Sequence, residues 1–467
     1  MIDTFMIFSS TLFLFIFIPL VLIIYYLIPQ KYIMAKNIEL LIASLIFYAW
    51  GEPVNILLMI LSIIANYIFG LLLGKYEKKG TRRLVVTLSV VFNLGLLFFY
   101  KYFNFFTGGI FGTIILPIGI SFFTFQIMSY TIDVYRGNVP TQRNIFNLGL
   151  YLSLFPQLIA GPIVRYIDIA NELERRSYDV DSVFRGVVRF SIGLAKKVVI
   201  SNTVALLADT IFAINPAGLS AATAWLGAIA YTLQIFFDFS GYSDMAIGLG
   251  HMMGFKFPEN FNYPYIARSI QEFWRRWHMT LSTWFKDYLY IPLGGNRKGK
   301  LRTYLNLFIV FACTGFWHGA SWNFLVWGLY HGIFQIFERL GLKKILEKIP
   351  KVFGHIYTML VVIIGWVLFR ADNLSMALKY IGAMFKFTDF GWDRAVAQLD
   401  GYTLIIILLA IAFSIPFVPA IRKKLETVKG GELAVTLIRG TAMIVLLAVS
   451  IFSLTGSDYN PFIYFRF

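Results

Sequence analysis

Long apolar runs dominate the chain, and polar residues gather in short clusters between them. The first run, Phe5–Ile28, exceeds the roughly 20 residues that a helix needs to cross a hydrocarbon core. No Lys or Arg precedes Lys31 and no small-residue cleavage site closes the run, so it reads as a retained helix and not as a signal peptide. Ile38–Trp50, Asn55–Leu73 and Leu84–Tyr100 continue the series, and Ile356–Phe369, Tyr402–Val418 and Leu433–Leu454 repeat it later. The middle is less regular. Leu116–Tyr130, Ile145–Ala160, Val198–Ile214 and Ala221–Phe237 are apolar, but Pro, Gly and charges interrupt their flanks, the pattern of broken or re-entrant helices. The prediction is an all-α polytopic membrane protein of about ten to twelve crossings, forming one integral membrane domain over residues 1–467.

Composition agrees with that pattern: 58% of residues are hydrophobic and 14% charged, against about 45–50% and about 25% in soluble domains. An ordinary soluble enzyme, a disordered chain and a repeat solenoid are excluded. The net charge of +16 falls on loops. Lys31 and Lys36, then Lys75, Lys78, Lys79, Arg82 and Arg83, then Arg339, Lys343, Lys344, Lys348 and Lys351, and finally Arg422, Lys423, Lys424 and Lys429 mark inner-face segments by the positive-inside bias. Parity then puts both termini outside. No basic stretch lies in a soluble domain, so nucleic acid is not an expected partner, whereas membrane lipids are. The single cysteine, Cys313, excludes a disulfide framework and a multi-cysteine metal site, and no metal is expected.

Ionisable groups at membrane depth are functional candidates by default, and three stretches concentrate them. In the first, Phe236–Gly248, Asp238 and Asp244 flank Gly241, which reads as a capped turn between helices or a cation or relay site. The second, Phe273–Gly295, alternates Trp274, Trp277, Trp284, Tyr288 and Tyr290 with Arg275, Arg276, His278, Lys286 and Asp287, the composition of a helix lying in the headgroup plane. Residues 268–303 are accordingly an interfacial, cytoplasmic-side segment. Aromatic anchoring does not require a histidine there, and His278 stays open between an interfacial and a functional role.

The third stretch, residues 304–337, reads as a hairpin entering from the cytoplasm: Tyr304–Phe316, an interruption at Trp317–Trp322, then Asn323–Phe337. The arms, about 13 and 15 residues long, span roughly 20–22 Å, short of a hydrocarbon core of about 30 Å. His318 would then lie at depth, either held by a backbone carbonyl or functional. His331 is expected nearer the inner face, packing or hydrogen-bonding there. A neutral imidazole at depth can take a hydroxyl proton as an acyl group arrives, which suits acyl transfer across a bilayer. A channel or transporter using Asp238, Asp244 and the histidines is the reading from another class.

The runs WRRWHMTLSTWFKDYLYIPLGGNRKG and GFWHGASWNFLVWGLYHG resemble the two signature stretches of the membrane-bound O-acyltransferase (MBOAT) family, in its bacterial alginate-type version. Pro117–Gly137, Phe155–Tyr166, Phe236–Gly248 and the PFIYFRF ending extend the likeness over nearly the whole chain. The resemblance implies a ring of tilted helices, with re-entrant and interfacial helices around a thinned centre. It puts His318 at the family's essential histidine and His278 at the second motif histidine. His318 is then expected as general base, with His278 orienting donor or base. Trp317, Trp274, Asp238, Asp244, Ser282 and Asn323 are candidate substrate-wall residues, and Arg275 and Arg276 candidates for the donor. No bound cofactor is implied. The resemblance implies a cytoplasmic thioester, most simply acetyl-CoA, as acyl donor. The acceptor it implies is an exported polysaccharide, reached directly or through an extracellular SGNH-hydrolase-like partner. The competing branch takes D-alanine from a carrier protein to teichoic acid.

Overall fold

A computed structural model describes residues 6–112, 114–159, 161–428, 430–456 and 459–463. Phe5, Ala160, Lys429 and the last four residues of PFIYFRF, all used in the sequence reading, lie outside the described residues. Among those described, the regular structure is helical throughout. Among the described residues six helices are long and apolar enough to cross a membrane, or seven if the pair Gly401–Phe413 and Phe417–Glu426, bent by 59°, is one span. Other expected crossings fall on shorter helices, such as Ile120–Arg136 with 17 residues and Trp322–Phe337 with 16. The protein is an all-α, multi-pass membrane protein. Outward faces carry Leu57, Leu84, Val91, Leu437 and Phe452, while polar side chains turn inward, the arrangement that lipid favours.

The chain groups into two compact units, Met1–Ser191 with Tyr242–Glu259, and Ile192–Gly241 with Asn260–Phe467. In the first unit, buried Asn66 and Asn93 exchange amide hydrogen bonds of 3.0 and 2.7 Å, and Ser89 bonds Thr131 at 3.0 Å. These residues sit on Ile56–Lys75, Lys79–Leu97 and Ile120–Arg136. Such polar contacts join helices where apolar burial supplies little drive, because lipid is as apolar as the helix surface.

Two sequence expectations change where charges meet helices. The Asp238/Asp244 stretch is not a turn: one 33-residue helix, Ala221–Met253, runs through it. Gly241 serves close packing instead, since a Cβ there would lie 2.7 Å from the carbonyl oxygen of Gly193. The segment expected at Val198–Ile214 belongs to a helix that begins at Val180 and ends at Phe212. Its charges do not break it because they are paired. Arg189 meets Asp244 at 2.8 Å and Glu259 at 2.5 Å in the first unit, and Lys197 meets Asp238 at 2.7 Å in the second.

The expected hairpin is present with longer arms, Lys300–His318 and Trp322–Phe337, joined by only three residues. Basic residues at the start and Trp317–His318 at the end stretch the first arm to 19 residues, roughly 28 Å at the helical rise. Glycines let the arms touch backbone to backbone. A Cβ on Gly315 would lie 2.4 Å from the Phe324 carbonyl oxygen, and one on Gly328 would lie 2.2 Å from that of Phe311. His318 is thereby held at the last position of its arm, against the start of the other.

Candidate functional site

The stretch expected as one headgroup-plane helix is broken at His278, the corner between the short helix Ile270–Trp274 and Met279–Phe285, which continues as a π-helical turn over Lys286–Tyr290. His278 has φ +43°, a left-handed conformation costing a non-glycine residue roughly 1–2 kcal/mol. Asn260 holds the corner. Its backbone oxygen accepts the Met279 N–H at 3.0 Å. Its side-chain oxygen accepts the Thr280 hydroxyl at 2.9 Å and the Thr280 N–H at 3.4 Å, and meets His278 Nδ1 at 3.1 Å.

Those contacts assign the tautomer. A backbone N–H only donates, so the Asn260 atom it meets is the amide oxygen, and His278 Nδ1 must carry the proton. Nε2 then holds the lone pair, and it has no hydrogen-bond partner among the described residues. Burial pushes the His278 imidazole down to about 3, which keeps the ring neutral.

His318 is buried and 6.4 Å from His278, centroid to centroid, with the rings at 61°. That spacing exceeds a direct ring-to-ring hydrogen bond. Phe239 stands edge-on to His278 at 4.7 Å, and Trp317 lies 6.0 Å from the same ring. Trp327 and Phe369 stand edge-on to His318 at 5.0 and 5.3 Å. His318, Trp277, Trp327, Trp366, Phe369 and Ile463 are among the residues around one small cavity of about 10 Å³, the space of about one water-sized sphere.

The other expected site residues divide. Trp317 touches both histidines. Trp274 packs on Phe311, Trp327 and His331. Ser282 donates to the Trp274 carbonyl at 3.3 Å, and Asn323 donates to that of Ala371 at 2.9 Å. Arg276 is shared between Glu272 and the Asn262 carbonyl, whereas Arg275 is exposed. Asp238 and Asp244 are engaged with Lys197 and Arg189. His331 packs among Phe273, Trp274, Trp327 and Tyr330, and neither of its ring nitrogens has a hydrogen-bond partner among the described residues. Among the described residues no group of three or more His, Cys, Asp or Glu could hold a metal ion.

A sequence profile described as MBOAT, membrane-bound O-acyltransferase family, matches residues 138–379, a span holding both histidines. The chain belongs to the membrane-bound O-acyltransferase family. It is 43% identical to the probable alginate O-acetylase AlgI of Pseudomonas putida, over 99% of this chain and 100% of that one. The peptidoglycan O-acetyltransferase of Helicobacter pylori is 39% identical over 81% of this chain and 80% of its own. The teichoic acid D-alanyltransferase of Bacillus subtilis is 30% identical over 48% of this chain and 60% of its own. This MBOAT protein is therefore an acyltransferase enzyme.

Sequence reasoning did not single out Asn260, Lys197 or, within the PFIYFRF ending, Ile463. Lys197 carried a usable signal, a charge inside an apolar run. Asn260 carried none, because its partner is 18 positions away and only the corner brings them together.

Proposed function

We propose that this acyltransferase moves an acetyl group from a cytoplasmic thioester, most simply acetyl-CoA, across the cell membrane for O-acetylation of an exported or cell-envelope polysaccharide. The observation that carries the reading is the pair of buried imidazoles, 6.4 Å apart, with His318 facing an aromatic-walled cavity. Relatives named for alginate and peptidoglycan O-acetylation, alike over four-fifths of the chain or more, support the acetyl group and the polysaccharide acceptor.

In this mechanism His318 is the general base. Its ring takes the acceptor hydroxyl proton as the oxygen bonds to the thioester carbonyl carbon. Collapse of the tetrahedral intermediate breaks the C–S bond, and the proton passes to the leaving thiolate. His278, neutral and with no partner for its Nε2 lone pair among the described residues, orients the donor or the base. Trp317 and Trp274 wall the passage, and exposed Arg275 is open to an anionic donor. On the outer face an SGNH-hydrolase-like partner would accept the acetyl group when the polysaccharide does not do so directly.

Proteoliposomes supplied with labelled acetyl-CoA and cell-envelope polysaccharide test the reading. The parent protein transfers label to the polysaccharide and His318→Ala does not. Loss of D-alanine instead of acetate from the envelope of a His318→Ala strain would overturn the acetyl assignment.

A further inference from the structure

Lys197 and Asp238 are each almost fully buried, 2% and 1% exposed, and the chemistry proposed above uses neither. Their contacts converge on one segment, residues 459–463. Asp238 Oδ1 lies 2.7 Å from Lys197 Nζ, an ion pair by distance more than an aligned hydrogen bond, while Oδ2 accepts the backbone N–H of Ile463 at 2.9 Å. Lys197 donates to the Pro461 carbonyl and, at 2.9 Å, to Asn202 Oδ1. Asn202 in turn donates to Asn460 Oδ1 at 3.2 Å. Tyr459 donates its hydroxyl to Asp209 at 2.6 Å, and Asp209 also receives Arg370 at 2.5 Å.

We propose that Lys197 and Asp238 are positioning residues for acyl transfer: together they clasp the 459–463 segment so that Ile463 closes the cavity beside His318. Asp238 lies on the helix that supplies Ile235 and Phe239 to that cavity, and Arg370 ends the helix that supplies Trp366 and Phe369. The anchors and the cavity walls thus share two helices. A segment outside regular helix lacks intrahelical partners for many of its N–H and C=O groups, and burial without partners is costly. A buried ion pair costs desolvation that apolar residues would avoid, and what it adds is one register. Here that register sets Ile463, 3% exposed, against the histidine's cavity.

The proposal rests on His318 as the reaction centre, and its test separates the two. In a Cys313→Ser background, Ile463→Cys becomes the sole thiol, read by its rate of labelling with a small membrane-permeant maleimide. Asp238→Asn and Lys197→Met should each speed labelling roughly tenfold or more, as expected when a buried pair is broken and the segment opens. Acetyl transfer by the same variants, without the cysteine, should fall in kcat by a similar factor. Lys197→Arg, which keeps the charge, should restore both readouts, and size-exclusion profiles identify any variant that fails to fold. Unchanged labelling in both variants overturns the clasp. Faster labelling with undiminished acetyl transfer overturns the positioning role, and either result leaves the His318 reading intact. Full activity of His318→Ala would overturn that reading, and the positioning role with it, without reference to the clasp.

Discussion

Asn260 accepts the Nδ1 proton of His278 at 3.1 Å and so decides which nitrogen of that ring carries the lone pair. A ring free to exchange tautomers would spend part of its time with the proton on Nε2. Asn260→Ala should therefore lower kcat for acetyl transfer by roughly 10–100-fold, taking the loss seen when the orienting partner of a metal-bound imidazole is removed as the guide, with KM for the donor little changed. Steady-state kinetics in proteoliposomes check this, and Asn260→Asp, which retains an oxygen acceptor, should recover part of the loss.

Replacing His318 by Ala or Gln removes the proposed base from a buried, aromatic-walled position. The loss expected for a general base is roughly 10²–10⁴-fold in kcat. Expression and chromatographic behaviour should be retained, and the acetyl content of the cell envelope, released by mild alkali and quantified, should fall to the level of a deletion strain.

Burial gives His278 a pH signature in stability. Its folded value, about 3, lies below the roughly 6.5 of an unfolded histidine, so below pH 6.5 the unfolded chain binds the extra proton. The stability contribution is present above pH 6.5 and drains away as pH falls toward 3. The thermal midpoint in detergent should drop between pH 7.5 and pH 5, and His278→Asn should show a shallower drop. An equal slope in the two proteins would contradict a buried neutral ring.

The hairpin packing yields a paired test. Gly328→Ala puts a Cβ 2.2 Å from the Phe311 carbonyl oxygen, backbone that cannot swing aside, and should cost about 1–3 kcal/mol as overpacking, seen as a lower thermal midpoint. Gly382→Ala meets nothing within 4 Å and should leave the midpoint unchanged or slightly raised.

The all-α membrane architecture was legible in the chain because lipid imposes it: long apolar runs need helices, and polar groups at depth need partners. His278 and His318 could likewise be singled out, since a histidine in such surroundings is costly and the motifs around it resemble a known family. The same logic misjudged Asp238, Asp244 and the charges of Val180–Phe212. A charge reads as a break in an apolar pattern until its counter-ion is known, and Lys197 finds Asp238 from a different helix. Pairing across sequence distance leaves no periodic signal.

What the sequence determined by itself was the membrane solvent and the helical class, local properties of composition and spacing, and it nominated the hairpin and the two histidines as candidates. Only the tertiary structure decided that His278 sits at a left-handed corner held by Asn260, and that Ile463 lines the cavity at His318. Both depend on contacts between segments distant in the chain, 18 positions apart in one case and 225 for the Asp238–Ile463 bond that seats the other. Hydrogen bonds and buried ion pairs are directional and short-ranged, so they exist only once the backbone has brought their partners within reach.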